Sequence, residues 1–150
     1  LPSGKVIDLK FFKNRKKKFI AQSPPLGNFL GGKISVDELF FKFPQNERIA
    51  IIYHEIWHYD NNLKFEIAYR NKRPWLWVLF FINKPIFYEQ EFNADLYSFN
   101  TLKNKMDMIN VLLKLKKIID NGLISKHERT HPPIDERIKR LRDLLKKRKD

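Results

Sequence analysis

Two histidines four residues apart, with a glutamate directly after the first, are the residues of this chain best suited to chemistry: His54-Glu55-Ile56-Trp57-His58. On a helix, positions i and i+4 differ by about 40° around the axis, so both imidazoles leave one face. Two neutral imidazoles at that spacing can share one zinc ion. Glu55 stands about 100° further round, beside such an ion rather than on it. There it can take the proton of a water that the metal has acidified. The bland alternative makes Trp57 and His58 amphipathic residues at the edge of a core.

A third ligand is needed. His127 and His131 are candidates, and Glu89 is another, but Glu91-Phe92-Asn93-Ala94-Asp95 is the better pattern. Glu91 and Asp95 again share a helix face at i, i+4. Glu91 completes a His₂Glu set that leaves a fourth position open for water and substrate. Asp95 can accept the remaining N–H of a zinc-bound imidazole and fix its tautomer. Ala94 keeps the side chain small where the two helices would back onto each other. Read blandly, these are two exposed carboxylates on a surface helix.

The elements that must hold these groups read as an α+β plan. Residues 5–12 and 19–23 form two short strands flanking the basic run Lys13-Asn14-Arg15-Lys16-Lys17-Lys18 as a solvated hairpin loop. Lys33-Ile34-Ser35-Val36-Asp37 alternates as a third strand, giving a small N-terminal sheet of antiparallel type. An active-site helix starts at Pro44-Gln45-Asn46, with Asn46 as N-cap, Glu47 in its first turn and Ile49, Ile52 and Ile56 at helical spacing. Asp60-Asn61-Asn62 supplies its stop. A second helix begins just past Pro85 and runs to about Asn104, with Phe92, Phe99 and Leu102 near one side. A third covers Met106 to Asp120, using Met108, Leu112, Leu115 and Ile119. The last follows Pro132-Pro133 and buries Ile134, Ile138, Leu141 and Leu145.

Composition bounds the chemistry. A chain of 150 residues with 43% hydrophobic residues can bury a core of its own, and no linker divides it, so residues 1–150 read as a single catalytic domain with a basic C-terminal tail near 146–150. Cysteine is absent, which excludes disulfides, thiol catalysis and Cys-ligated metals, and leaves His and carboxylates for any metal site. Against 17 acidic residues stand 30 Lys and Arg, a net charge of +13 that favours acidic partners. The rival reading is therefore a basic module binding nucleic acid or an anionic membrane without catalysis. No recognisable nucleic-acid motif accompanies the charge, so nucleic acid is the less favoured partner. No run is long and apolar enough for a membrane-spanning helix or a signal peptide, so the chain is expected in the cytoplasm or at the periphery of a membrane. The aromatic stretch 74–82 reads as core first, with a membrane-surface contact or a partner patch as its other uses.

Four segments, in order over roughly residues 19–145, resemble the gluzincin metallopeptidases of the HtpX / CAAX-prenyl-protease type, and most of all the small minigluzincins. They are Asn28-Phe29-Leu30-Gly31-Gly32-Lys33-Ile34-Ser35-Val36, then Asn46-Glu47 with His54-Glu55-Ile56-Trp57-His58, then Glu91-Phe92-Asn93-Ala94-Asp95, and Thr130-His131-Pro132-Pro133-Ile134-Asp135-Glu136-Arg137-Ile138. The resemblance implies a zincin-like fold with an active-site helix, a glutamate helix and further C-terminal helices. It implies one catalytic Zn2+ held by His54, His58 and Glu91, with Glu55 as general base and acid. His131 or Arg137 would lie near the cleft as an oxyanion or carboxylate partner. An edge strand including Gly32, Lys33, Ile34, Ser35 and Val36 would bind a peptide or protein substrate in extended form. The expected activity is zinc-dependent endopeptidase cleavage. Latency, with the basic tail or a partner copy blocking a small cleft, and a homo-oligomer are further expectations.

Overall fold

The computed structural model describes residues 8–11, 20–23, 33–72, 84–124 and 131–147. The basic run 13–18, the aromatic stretch 74–82, His127, Gly32 and residues 148–150 lie outside them. Among the described residues the architecture is α+β: three short strands, a short 3-10 helix, then four helices.

The strands are β1 (Leu9–Phe11), β2 (Ala21–Gln22) and β3 (Ile34–Val36), in the spatial order β1-β3-β2. β1 pairs parallel to β3, Leu9 opposite Ile34, and β2 pairs antiparallel to it, Ala21 opposite Val36. Two expectations are corrected here. The sheet is mixed rather than antiparallel, and β1 and β2 do not form a hairpin, because β3 inserts between them. The reason lies in side-chain character: β3 carries the fully buried Ile34 and Val36, while β1 is exposed throughout. The central place, where both backbone edges find partners, goes to the strand that is buried.

Asp37 ends β3, and its Oδ1 accepts from the Glu38 N–H to start the 3-10 helix Glu38–Lys42. α1 follows as Gln45–Lys72. Its first helical hydrogen bond runs from the Arg48 N–H to the Pro44 carbonyl, so Asn46 lies inside the helix rather than capping it. The Asn46 amide instead donates to Asp107 Oδ1 across the core. The expected stop at Asp60-Asn61-Asn62 is overrun by ten residues. Both asparagines turn back one turn, Asn61 donating to the Trp57 carbonyl and Asn62 Oδ1 lying 2.9 Å from His58 Nδ1, so neither competes for the backbone ahead.

α2 (Lys84–Thr101), α3 (Met106–Asp120) and α4 (Ile134–Lys147) complete the fold. Asn104 Oδ1 accepts from the Met106 N–H at the start of α3. At its end Gly122 takes φ +69°, and the Gly122 and Leu123 N–H groups close on Ile119 and Ile118 carbonyls. The Pro133 carbonyl accepts the first bonds of α4. The core joins Val36, Phe40 and Phe43 to Ala50 and Ile51 of α1, Phe99 of α2, Met108, Ile109 and Leu112 of α3, and Ile138 and Leu141 of α4. In α1 the buried residues include Glu47, Ala50, Ile51, His54, Glu55, Ile56 and His58, so Ile56 of the expected apolar stripe is buried while Ile49 is 43% exposed. No described helix is long and apolar enough to cross a membrane.

Candidate metal centre

α1 and α2 make the most extensive helix pair, and the site lies between them. Ala50 and Ala94, both fully buried, keep the contact narrow, and the Ser98 hydroxyl donates to the Ala50 carbonyl at 2.8 Å. This close approach lets side chains of the two helices reach one point.

At that point His54, His58 and Glu91 form a group able to hold a metal ion. His54 Nε2 and His58 Nε2 are 3.2 Å apart. His58 Nε2 lies 3.2 Å from Glu91 Oε1, and His54 Nε2 lies 3.6 Å from Glu91 Oε2. A tetrahedral ion with bonds of 2.0–2.1 Å holds its ligand atoms about 3.3 Å apart; the two imidazole nitrogens stand at that spacing, each with a different Glu91 oxygen nearby, and one ligand atom from each residue lies within 4.8 Å of the others. Each imidazole has an oxygen at its other nitrogen. Asp95 Oδ1 lies 2.9 Å from His54 Nδ1, and Asn62 Oδ1 lies 2.9 Å from His58 Nδ1. With Nδ1 turned to oxygen, both Nε2 lone pairs converge on the place where Glu91 brings its charge. Glu91 is buried and ion-paired with Arg137, so it enters the site as a carboxylate, the form in which it can ligate a metal. These residues fit a zinc ion.

Arg137 of α4 reaches the same carboxylates from beneath. Its Nε and Nη2 donate to Asp95 at 2.7 and 2.6 Å, and Nη1 lies 3.0 Å from Glu91 Oε2. The guanidinium is only 5% exposed and has these two carboxylates around it. His131 is half exposed, with Nδ1 3.0 Å from Glu91 Oε1. Glu55 is buried beside the ligands, and its Oε2 accepts from the Ser23 N–H, at the end of β2, at 2.6 Å.

The charges are strongly coupled. Burial opposes ionising Glu91, but Arg137 and His131 overcome it and hold the carboxyl well below the usual range. Asp95 is likewise lowered against burial, by Arg137 and His54. Burial also opposes protonating His58, yet Glu91, with Glu55 and Asn62, pushes it up to about 9.

Among the described residues, Ile34, Ser35 and Val36 are bonded on both sides, by β1 and β2, and the Asp37 N–H is taken by the Ile20 carbonyl, so this strand is the middle one of the three. The Lys33 ammonium pairs with Asp8 at 2.9 Å. Two partners of the site escaped the sequence reading. Asn62 carried a signal, since it lies four residues past His58. Ser23 carried none, because only folding brings its backbone to Glu55.

A family model described as Peptidase family M48 matches residues 66–145. The match spans Glu91, Asp95, His131 and Arg137 and begins after His54 and His58, so the histidine pair is an observation separate from it. No curated protein matches the chain, and no solved structure does.

Proposed function

The chain belongs to Peptidase family M48, a family of zinc metallopeptidases, and from that premise we propose that it is an endopeptidase whose Glu55 is the general base. The observation that supports this most is the convergence of His54 Nε2, His58 Nε2 and the two Glu91 carboxylate oxygens, with Glu55 on the adjoining helix position. A zinc ion bound by those three residues would supply Lewis acidity toward a carbonyl and acidify a water. The remaining work falls to the chain. Glu55, held by the Ser23 N–H through Oε2, removes the water proton and later delivers it to the leaving amine. Asp95 and Asn62 orient the two imidazoles. Arg137 fixes Glu91 and Asp95 as a positioning residue, and His131, half exposed beside Glu91, faces the developing oxyanion. Among the described residues the strand that reaches the site is β2, at Ser23, and an extended peptide would pair along it.

The test is Glu55→Gln. Zinc content stays at the wild-type level while hydrolysis of an unstructured protein substrate such as casein is lost. Normal turnover by that variant overturns the assignment.

A further inference from the structure

α1 does not end where its Asp60-Asn61-Asn62 run suggests, and the residue that the extra helix carries into place is Asn62. Its Oδ1 lies 2.9 Å from His58 Nδ1, the ring nitrogen facing away from Glu91. Its main-chain carbonyl accepts from Gln90 Nε2 at 3.3 Å, tying this turn of α1 to the residue before Glu91. We propose that Asn62 is a positioning residue for the metal centre, which selects the His58 tautomer that offers Nε2 to zinc. The inference rests on the zinc reading above.

The argument is one of hydrogen-bond inventory. An imidazole that binds metal through Nε2 must carry its proton on Nδ1, and that N–H needs an acceptor in a buried place. His54 has a carboxylate there, Asp95, brought by a second helix. Among the described residues, the oxygen at His58 Nδ1 is the Asn62 amide oxygen, four residues along its own helix. The metal motif of α1 therefore extends from His54-Glu55-Ile56-Trp57-His58 through Asn62, with His58 and Asn62 repeating the i, i+4 spacing of His54 and His58. The two imidazoles are held by acceptors of different charge.

The substitution that isolates this contact is Asn62→Ala. It leaves the main-chain bond from Gln90 intact, and alanine is the better helix former, so α1 keeps its reason to continue. Zinc affinity, measured by competition with a chromophoric chelator on the full chain, is expected to fall 10- to 100-fold. Asn62→Asp, which restores an acceptor oxygen at the same reach, returns it to wild type or better. Unchanged affinity in Asn62→Ala, or equal loss in Asn62→Asp, overturns the role. Failure of the wild-type chain to bind zinc is a separate outcome, which removes the zinc reading and this inference with it.

Discussion

Arg137 donates to both oxygens of Asp95, Nε to Oδ2 at 2.7 Å and Nη2 to Oδ1 at 2.6 Å, across 42 residues of sequence. The same guanidinium touches Glu91 Oε2 through Nη1. One cation on α4 thus fixes two carboxylates on α2, and through them the places of His54 and His58 on α1. The fork matters as much as the charge, because two parallel N–H bonds set the plane of the carboxylate.

Removing that cation should be costly. Arg137→Leu leaves two buried carboxylates without their guanidinium, with only imidazoles beside them, and the expected loss is about 3–5 kcal/mol in urea unfolding of the metal-free protein. Arg137→Lys keeps the charge without the fork and should recover only part of it. A loss below about 1 kcal/mol in Arg137→Leu, at the exposed-pair level, would contradict the buried network.

The metal-free protein should lose stability as pH rises through the neutral range. His58 is raised from its ordinary 6.5 to about 9 by Glu91 against its burial, so its contribution is fully present below pH 6.5 and lost as pH climbs through 9. Glu91 and Asp95 act in the opposite direction. Their folded values are depressed, so their contribution is present above their ordinary 4.5 and 3.8 and lost as pH falls below those values. The thermal midpoint of metal-free protein should therefore fall between pH 6.5 and 9. Zinc displaces the His58 proton, so the loaded protein should not show that decline. A flat or rising midpoint over the same window without metal would argue against the His58–Glu91 coupling.

Ala94 tests the helix contact from a different side. It is fully buried where α2 meets α1, one residue before Asp95 and three after Glu91. Ala94→Leu should overpack this contact, costing about 1–3 kcal/mol. It should also weaken zinc binding, because the carboxylates move with α2 while the imidazoles stay on α1. Ala94→Gly opens no clash and should spare zinc, at a helix-propensity cost of about 1 kcal/mol. Equal zinc affinity in the leucine variant would show that the contact does not set the ligand geometry.

Local periodicity carried much of this protein. The helices at Met106–Asp120 and Ile134–Lys147, the α+β class, and the shared faces of His54 with His58 and of Glu91 with Asp95 follow from spacing along one chain segment, since a helix turns about 100° per residue wherever it lies. Other features depended on which segments meet. β3 lies between β1 and β2 because its buried Ile34 and Val36 need the enclosed place, and no pattern within residues 33–37 states which strands will flank it. α1 overran its asparagines because their side chains found partners on the preceding turn, Trp57 and His58. Ser23 reached Glu55, and Arg137 reached Asp95 and Glu91, only through packing across 32, 42 and 46 residues, the last from 137 − 91. A sequence records which groups could bind a metal. The distances of 3.2 to 3.6 Å that bring two imidazoles and a carboxylate together belong to the meeting of two helices, and that meeting is decided by the whole core.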